Sequence, residues 1–267
     1  MANKNAVSNY EQQFYLSGIL LSGVTSLDGG YSIDESPINI IGKGYTYPVR
    51  QNPLVGNFNI SKYYIGKDPL LDYTGDSPIS GSINYGGKSF GFNSGFLTDY
   101  SFSASISSIP TANASIVVYG DIGSGIDASG ANEHPPIEIP NQGSMSINVS
   151  GYQSNRVTQF SYGLRIDRKP LYKIGSPFPV QVDRGCPMTQ NASFSIDIDE
   201  FEITKMREYL ISPKEQDIEF VFKNPVNNNQ IEKFEIKKAR LVNQSIRSSS
   251  DDILTAELQY VGYINKK

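Results

Sequence analysis

The chain has 267 residues, of which 38% are hydrophobic and 19% are charged, and its net charge at pH 7 is −4. This composition excludes a disordered or membrane-embedded chain, and the length suffices for two ordinary cores. Tryptophan is absent, while 24 glycines, 15 prolines and frequent serines predict short strands joined by tight turns. The apolar stretch Phe14–Val24 is shorter than a membrane span and the single Cys186 gives no disulfide framework, so a cytosolic origin is expected.

Four elements are predicted in the first half of the chain. Lys67–Tyr73 favours a short helix, and Gly86-Gly87 favours a two-residue hairpin turn because both glycines tolerate positive φ. Apolar residues alternate with serines along Tyr100–Ser107, which predicts a strand with one face on a core. The continuous apolar run Ile116–Tyr119 predicts a strand that is covered on both sides.

A glycine- and proline-rich segment, Asp121–Gln142, is predicted to be a linker that starts flexible and stiffens at its prolines. The pattern beyond it predicts further elements in the second half. They are, in chain order, a strand at Met145–Ser150, an alternating strand at Ala192–Asp199, a helix at Glu200–Ile211, an asparagine-rich loop at Lys223–Gln230 and a closing strand at Leu254–Tyr260.

The sequence contains an internal repeat. Ser17–Gly42 aligns with Ser150–Gly175 without a gap at an offset of 133 positions, and ten of the 26 positions are identical. The offset is half the chain, which predicts two tandem copies of one domain rather than a solenoid. The predicted fold is therefore mainly β, with two sandwich- or barrel-like domains that each carry a flanking short α-helix. Their expected bounds are 1–125 and 143–267, with a linker at 126–142.

No catalytic, cofactor or metal site is predicted. The run Gly86–Ser89 resembles the end of a phosphate-binding loop, but Ser82 stands where that motif needs glycine, and a strand is expected to follow. His134, the only histidine, lies beside two prolines in the predicted linker and is interpreted as a solvated residue. Cys186 is interpreted as a packing residue.

Clustered charges receive structural interpretations. Four carboxylates at the start of the predicted helix are interpreted as capping groups that favour the helix dipole, with calcium binding as the alternative; they are Asp197, Asp199, Glu200 and Glu202. A glycosidase pair made of carboxylates from separate strands stays open. The basic run Lys233–Arg240 alternates with apolar residues, which indicates a solvated or subunit-facing side of a strand.

Both halves resemble the tail-tube-like domain of bacteriophage virion proteins. In the first half the resemblance runs from Gly30–Asp34 through Tyr45–Pro48 to the predicted strand Asn57–Lys62, and Leu97–Gly120 is similar to the C-terminal strand pair of that domain. The second half repeats the frame through Gly163–Asp167.

The resemblance implies a β-sandwich with a flanking helix that assembles into rings around a channel for DNA. Family members with two domains per chain form trimeric, pseudo-sixfold rings, so the implied partners are further copies of the chain, other phage tail proteins at the tube ends and double-stranded DNA in passage. The implied location is the virion, assembled in the bacterial cytoplasm without a membrane. Two alternatives stay open: a trimeric baseplate hub or adaptor with the same duplicated fold, and a carbohydrate-binding β-sandwich suggested by the abundant tyrosines.

Two sets of residues are the candidate sites of such an assembly. Polar residues of the alternating strands are expected to face the channel or the neighbouring subunit; they are Ser101, Ser103, Ser105, Ser193, Ser195 and Asp197. Hairpin loops are expected to reach the next ring; their residues are Gly86, Gly87, Asn227, Asn228 and Asn229. A channel lined by serine, threonine, asparagine and carboxylates, without lysine or arginine, would hold DNA weakly enough for it to slide.

Overall fold

The computed structural model describes residues 11–33, 35–39, 42, 46–50, 53–130, 137–139, 145–149, 152–154, 157–197, 214–224, 226–248 and 254–265. The chain is mainly β, and the described strands all pair antiparallel. In the first half the structure describes ten strands: β1 (Gln12–Leu16), β2 (Ile19–Leu20), β3 (Val24–Ser32), β4 (Glu35–Asn39), β5 (Thr46–Arg50), β6 (Val55–Tyr63), β7 (Ile79–Tyr85), β8 (Lys88–Ser105), β9 (Thr111–Val118) and β10 (Ile122–Ser124).

The second half contains nine described strands, and a short 3-10 helix at Pro69–Tyr73 lies between β6 and β7. These strands are β11 (Met145–Val149), β12 (Tyr152–Ser154), β13 (Val157–Arg165), β14 (Arg168–Leu171), β15 (Gln181–Arg184), β16 (Met188–Asp197), β17 (Gln216–Lys223), β18 (Gln230–Arg247) and β19 (Thr255–Ile264).

Eight strands form one continuous row, which we call the central sheet. Its order is β3-β6-β9-β8-β13-β16-β19-β18, so strands of both halves belong to it and β8 meets β13 in the middle. The 18-residue strands β8 and β18 continue beyond the central sheet. Their N-terminal parts pair with β7 and β17, which in turn pair with β1 and β11.

These outer strands cover one face of the central sheet and create the core. Phe160 of β13 stacks on Phe220 of β17, with ring centroids 3.6 Å apart, although the two strands are not neighbours in the sheet. In the same layer, the ring centroids of Phe102 of β8 and Phe222 are 4.9 Å apart. Most of the large buried side chains of the two halves therefore form one continuous cluster between two layers, rather than a separate core in each half.

The pairings of the first half recur in the second. The seven that recur are β1-β2, β1-β7, β3-β6, β4-β5, β6-β9, β7-β8 and β8-β9, which match β11-β12, β11-β17, β13-β16, β14-β15, β16-β19, β17-β18 and β18-β19. Three register shifts recur as well, at Val24/Ser26 and Val157/Gln159, at Ile79/Gly81 and Gln216/Ile218, and at Leu97/Asp99 and Leu241/Asn243. Matching the registers gives equivalent residues, with a constant numbering difference along each strand.

Several expectations from the sequence need correction. The described residues contain no α-helix. Where the first flanking α-helix was predicted, the chain forms a 3-10 helix at Pro69–Tyr73. The second predicted helix, Glu200–Ile211, lies outside the described residues. Ile106 was predicted to be buried, but β8 ends one residue earlier and its side chain is half exposed. Cys186 was interpreted as a packing residue, and it is exposed.

The start of the predicted linker is attached to the first half. Ile122–Ser124 forms β10, which pairs with the N-terminal part of β8. A few residues further, the Asp127 carboxylate accepts a hydrogen bond from Asn84 Nδ2 at 3.0 Å, and Gly18 N donates to Ala128 O at 3.1 Å. Segment 122–129 therefore belongs to the packed structure and not to a flexible connection.

Candidate functional site

One face of the central sheet packs on the core and the opposite face is largely polar, because side chains alternate along its strands. At one end of this opposite face, Phe96 and Val117 form a small buried apolar cluster with Tyr119 and with Val182 of the β14-β15 hairpin. Tyr100, Phe102 and Ala104 of β8 are buried in the core, and the serines between them point to the opposite side. The same alternation holds in β16, where Phe194 and Ile196 are buried. This second side, which we call the polar face, carries the side chains predicted for a channel or a subunit contact.

The structure brings the predicted serines of both halves onto this one face. Ser103 of β8 lies opposite Ser161 of β13, which lies opposite Ser193 of β16. Ser101 occupies the neighbouring row, and Ser105 and Ser195 share the next one through Gln159. The strand position of Asp197 is described, opposite Thr255 of β19, but its side chain lies outside the described set.

Strand β13 is the central-sheet element between the two halves, and sequence analysis missed it. It bridges β8 and β16, and its buried residues Phe160, Tyr162 and Leu164 alternate with Ser161, Gly163 and Arg165 on the polar face. This alternation is a period-2 signal that predicts a half-buried strand by itself. Because Gly163 has no side chain, the serine rows around it enclose a shallow concavity of about 470 Å³.

Charged side chains accompany the serines on the polar face. They include Asp28, Asp99, Arg165, Arg247 and Glu257. Two of these side chains are arginines, whereas the channel lining expected from the sequence has no basic residues. Each arginine lies beside a carboxylate, since Arg165 Nε is 3.5 Å from Asp167 Oδ1 and Arg247 Nη2 is 3.5 Å from Glu257 Oε2.

Within the described residues, the central sheet ends at two strands that pair on one side only. Among the described strands, β3 pairs only with β6. At the other end, the C-terminal part of β18, from Arg240 to Arg247, pairs only with β19 within the described part of the chain. Each edge therefore presents backbone donors and acceptors that a further strand can pair with.

The middle of the central sheet is a junction between the halves. Beyond the β8-β13 ladder, the Arg168 guanidinium donates to Leu97 O at 2.9 Å and to Gly75 O at 2.8 Å, and it lies 5.5 Å from the centroid of the Phe96 ring. Burial lowers the pKa of Arg168, and the Asp76 carboxylate 3.8 Å away opposes this change. Arg168 thus connects the β14-β15 hairpin of the second half to the first half.

A buried charge network supports β8 from the core side. Lys62 Nζ donates to Asp68 Oδ1 at 3.1 Å, and the Tyr100 hydroxyl donates to Asp68 Oδ2 at 3.0 Å. The same carboxylate accepts from Leu70 N and so caps the 3-10 helix. Burial, followed by the Asp68 charge, raises the pKa of Tyr100. No sequence motif predicts this network, because its residues come from three different elements.

Both predicted turns lie at hairpin tips. Gly86 and Gly87 form the β7-β8 turn with φ of +52° and +74°, a backbone conformation that glycine adopts without strain. At the equivalent β17-β18 connection, Asn227–Asn229 is exposed, and Asn228 has φ of +58°. Asn228 N donates to Asn224 O at 2.9 Å, so the loop carries internal hydrogen bonds.

Within the described residues, the motifs considered for catalysis lie apart from one another. Gly86–Ser89 belongs to the hairpin and the start of β8, which is not the loop-to-helix geometry that phosphate binding uses. The described ranges hold no group of three or more histidine, cysteine, aspartate or glutamate residues that could bind a metal ion. Of the residues singled out earlier, His134, Asp199, Glu200 and Glu202 lie outside the described residues. Among the residues that are described, no helix is long and apolar enough to cross a membrane.

No protein-family model matches the chain. No curated protein sequence matches it either.

Proposed function

We propose that this chain is a structural protein of a bacteriophage tail, built from two copies of a tail-tube-like domain, and that it forms stacked rings around a channel for DNA. The observation that carries the proposal is the recurrence of seven strand pairings and three register shifts in the two halves. A chain made of two like units, each with an exposed strand edge, suits a ring in which both units alternate. Three such chains give the pseudo-sixfold ring that the sequence resemblance implies.

The central sheet supports a barrel in this ring. Its eight strands are apolar on one side and largely polar on the other, apart from the cluster around Phe96 and Val117, and both of its ends are unpaired in the described residues. Joining such sheets end to end around an axis removes every free edge, which is the way in which barrels avoid uncontrolled strand addition. The polar face would then line the channel, and the outer strands would form the exterior.

The composition of the polar face suits passage rather than binding of DNA. Affinity for the phosphate backbone comes from lysine and arginine that displace counterions. The serine rows offer no charge, and both arginines named above lie near carboxylates of the same chain. Duplex DNA is therefore expected to meet a hydrated surface of low affinity and to slide.

The test is direct observation of the purified full chain. Negative-stain electron microscopy and mass measurement of the smallest assembly are expected to give hollow tubes and a trimer. Single rings that never stack would favour the hub or adaptor alternative, which has the same duplicated fold. A chain that stays monomeric at all concentrations would contradict both.

A loop variant tests how rings stack. Deletion of Asn227–Asn229 removes an exposed tip without touching β17 or β18, so rings are expected to form but not to stack. Replacement of the three asparagines by serine, which keeps the loop length, is the matched control. Unchanged tube growth in the deletion variant would contradict the assignment of this loop to the contact between rings.

A further inference from the structure

The strands at the two edges of the central sheet are equivalent to the two strands that pair at its centre. Matching the registers of the two halves makes the edge strand β3 equivalent to β13 and the edge strand β18 equivalent to β8. Inside the chain, β8 of the first half pairs with β13 of the second. The corresponding partner strands at the outer ends, β18 and β3, lie at opposite ends of the same sheet and do not pair with each other.

Equivalent residues are buried at the internal junction and exposed at the outer edges of the sheet, which is the difference expected where a neighbouring strand is missing. Ile166, which follows β13 at the internal junction, is 1% exposed, whereas its equivalent Ile33, which follows β3, is 49% exposed. Tyr119 is 8% exposed beside the β14-β15 hairpin, whereas its equivalent Tyr263 is 59% exposed. In both pairs the residue type is the same, so the side chain itself does not explain the difference.

We propose that β3 of one copy pairs antiparallel with the C-terminal part of β18 of the next copy, in the register of the internal β8-β13 ladder. This inference rests on the proposed ring and specifies its junction. Internally, Ser161 pairs with Ser103 and Gly163 with Ser101. Transfer to the equivalent positions places Asp28 opposite Arg247 of the next copy, and Gly30 opposite Ser245 of the next copy.

The transferred register is electrostatically complementary. Asp28 and Arg247 are both exposed, and the register places their opposite charges directly across the new ladder. Directly opposed unlike charges on antiparallel strands stabilise the pair, and like charges destabilise it. The internal hydrogen bond from Ile166 N to Thr98 O, 2.7 Å long, has a counterpart from Ile33 N to Val242 O of the next copy.

The occupant of each edge is therefore a second copy of this chain, in a head-to-tail contact. Pairing of β3 with β3 would instead join two like edges, for which the structure offers no internal precedent. A head-to-tail contact between unlike patches generates a closed ring or an open filament according to its rotation. The edges therefore define the polarity of the assembly.

Disulfide trapping between two single-cysteine chains tests the register. In a Cys186→Ser background, one chain carries Gly30→Cys and the other carries Ser245→Cys. Gly30 accepts a Cβ because nothing lies within 4 Å of that position. The two chains are expected to form a disulfide-linked dimer only when mixed. The matched control pairs Ser26→Cys with Ser245→Cys, four residues out of register, which separates the Cα atoms by about 13 Å, well beyond the roughly 7 Å limit of a disulfide.

Charge reversal gives a second readout that does not depend on cysteine. Asp28→Lys alone and Arg247→Glu alone are each expected to weaken association about fivefold, because like charges then face each other across the ladder. The double variant is expected to recover most of the association. A double variant as weak as the product of the two single effects would overturn the proposed register.

The outcomes separate this inference from the proposed function. Tubes without the mixed dimer, or with dimers of Gly30→Cys alone, would overturn the register and leave the tube proposal standing. The mixed dimer without tubes would support the register and contradict stacking. Absence of both dimer and assembly would contradict both.

Discussion

Removal of the Asp68 carboxylate should be among the most destabilising single changes in the first half. Asp68 is 0% exposed and holds Lys62, which is 5% exposed, at 3.1 Å. Asp68→Ala leaves that ammonium buried without its counter-charge, and it also removes the acceptor of the Tyr100 hydroxyl and of Leu70 N. Breaking a buried ion pair from one side costs about 3–5 kcal/mol of unfolding free energy.

A nearby exposed pair provides the matched control. Lys67 and Asp72 are 3.8 Å apart, and their side chains are 69% and 65% exposed. Asp72→Ala should therefore change the free energy of unfolding by less than about 0.5 kcal/mol. The two aspartates lie four residues apart around the same 3-10 helix, so comparing the two variants separates the effect of burial on stability from the effect of position in the fold.

Urea unfolding followed by far-ultraviolet circular dichroism measures the difference. With an m-value of about 3 kcal/mol per M, Asp68→Ala should lower the urea midpoint by about 1 M or more. All variants need the same protein concentration, because the proposed assembly would add its own stabilisation. Lys62→Met combined with Asp68→Ala should cost less than the sum of the single changes, since no charge is then left unpaired. Equal losses for Asp68→Ala and Asp72→Ala would refute the buried-pair argument.

Three further predictions concern packing, close approach and pH. Phe160→Ala removes a ring that stacks 3.6 Å from Phe220, and we expect it to cost about 3–5 kcal/mol in urea unfolding; a loss below 1 kcal/mol would contradict the two-layer core. Gly91→Ala places a Cβ 2.5 and 2.7 Å from two backbone carbonyl oxygens and should cost about 1–3 kcal/mol, whereas Gly30→Ala, which meets open space, should be nearly neutral by the same measurement. Burial raises the pKa of Glu232, so the folded state holds this proton more tightly than the unfolded chain does; the resulting stability is present below the ordinary glutamate pKa of about 4.3 and is lost as the pH rises through the folded pKa. Glu232→Gln should therefore raise the urea midpoint at pH 7 and leave it nearly unchanged at pH 4; an equal gain at both pH values would contradict this.

Local patterns predicted much of the fold because they depend only on neighbours along the chain. Alternation along β8 and β16 identifies which residues are buried, and Gly86-Gly87 marks the hairpin turn. The ends of strands were less predictable. Ile106 continues the alternation by one position, but β8 has already ended at Ser105, so its side chain meets solvent.

Contacts between different elements could not be predicted from local sequence patterns. Lys62 and Asp68 are ordinary charged residues in the sequence, and only the packing of β6, the 3-10 helix and β8 turns them into a buried pair. The pairing of β8 with β13 likewise depends on the arrangement of the two halves. The repeat in the sequence predicted two equivalent units, but it did not predict that their strands share one sheet and one core.

The internal and the proposed outer junctions differ in one residue that affects how an assembly grows. Arg168 stabilises the internal junction by donating hydrogen bonds to Leu97 O and Gly75 O. The equivalent residue at the start of β4 is Glu35. A glutamate donates no hydrogen bonds to carbonyl oxygens, so the outer junction relies on the strand ladder and on Asp28 with Arg247. The internal junction is also tethered covalently, which gives it a high effective concentration at any dilution. The halves should therefore stay docked in a single chain, while contacts between chains depend on protein concentration. In the proposed ring, duplication would thus halve the number of contacts between chains that have to form before the ring closes.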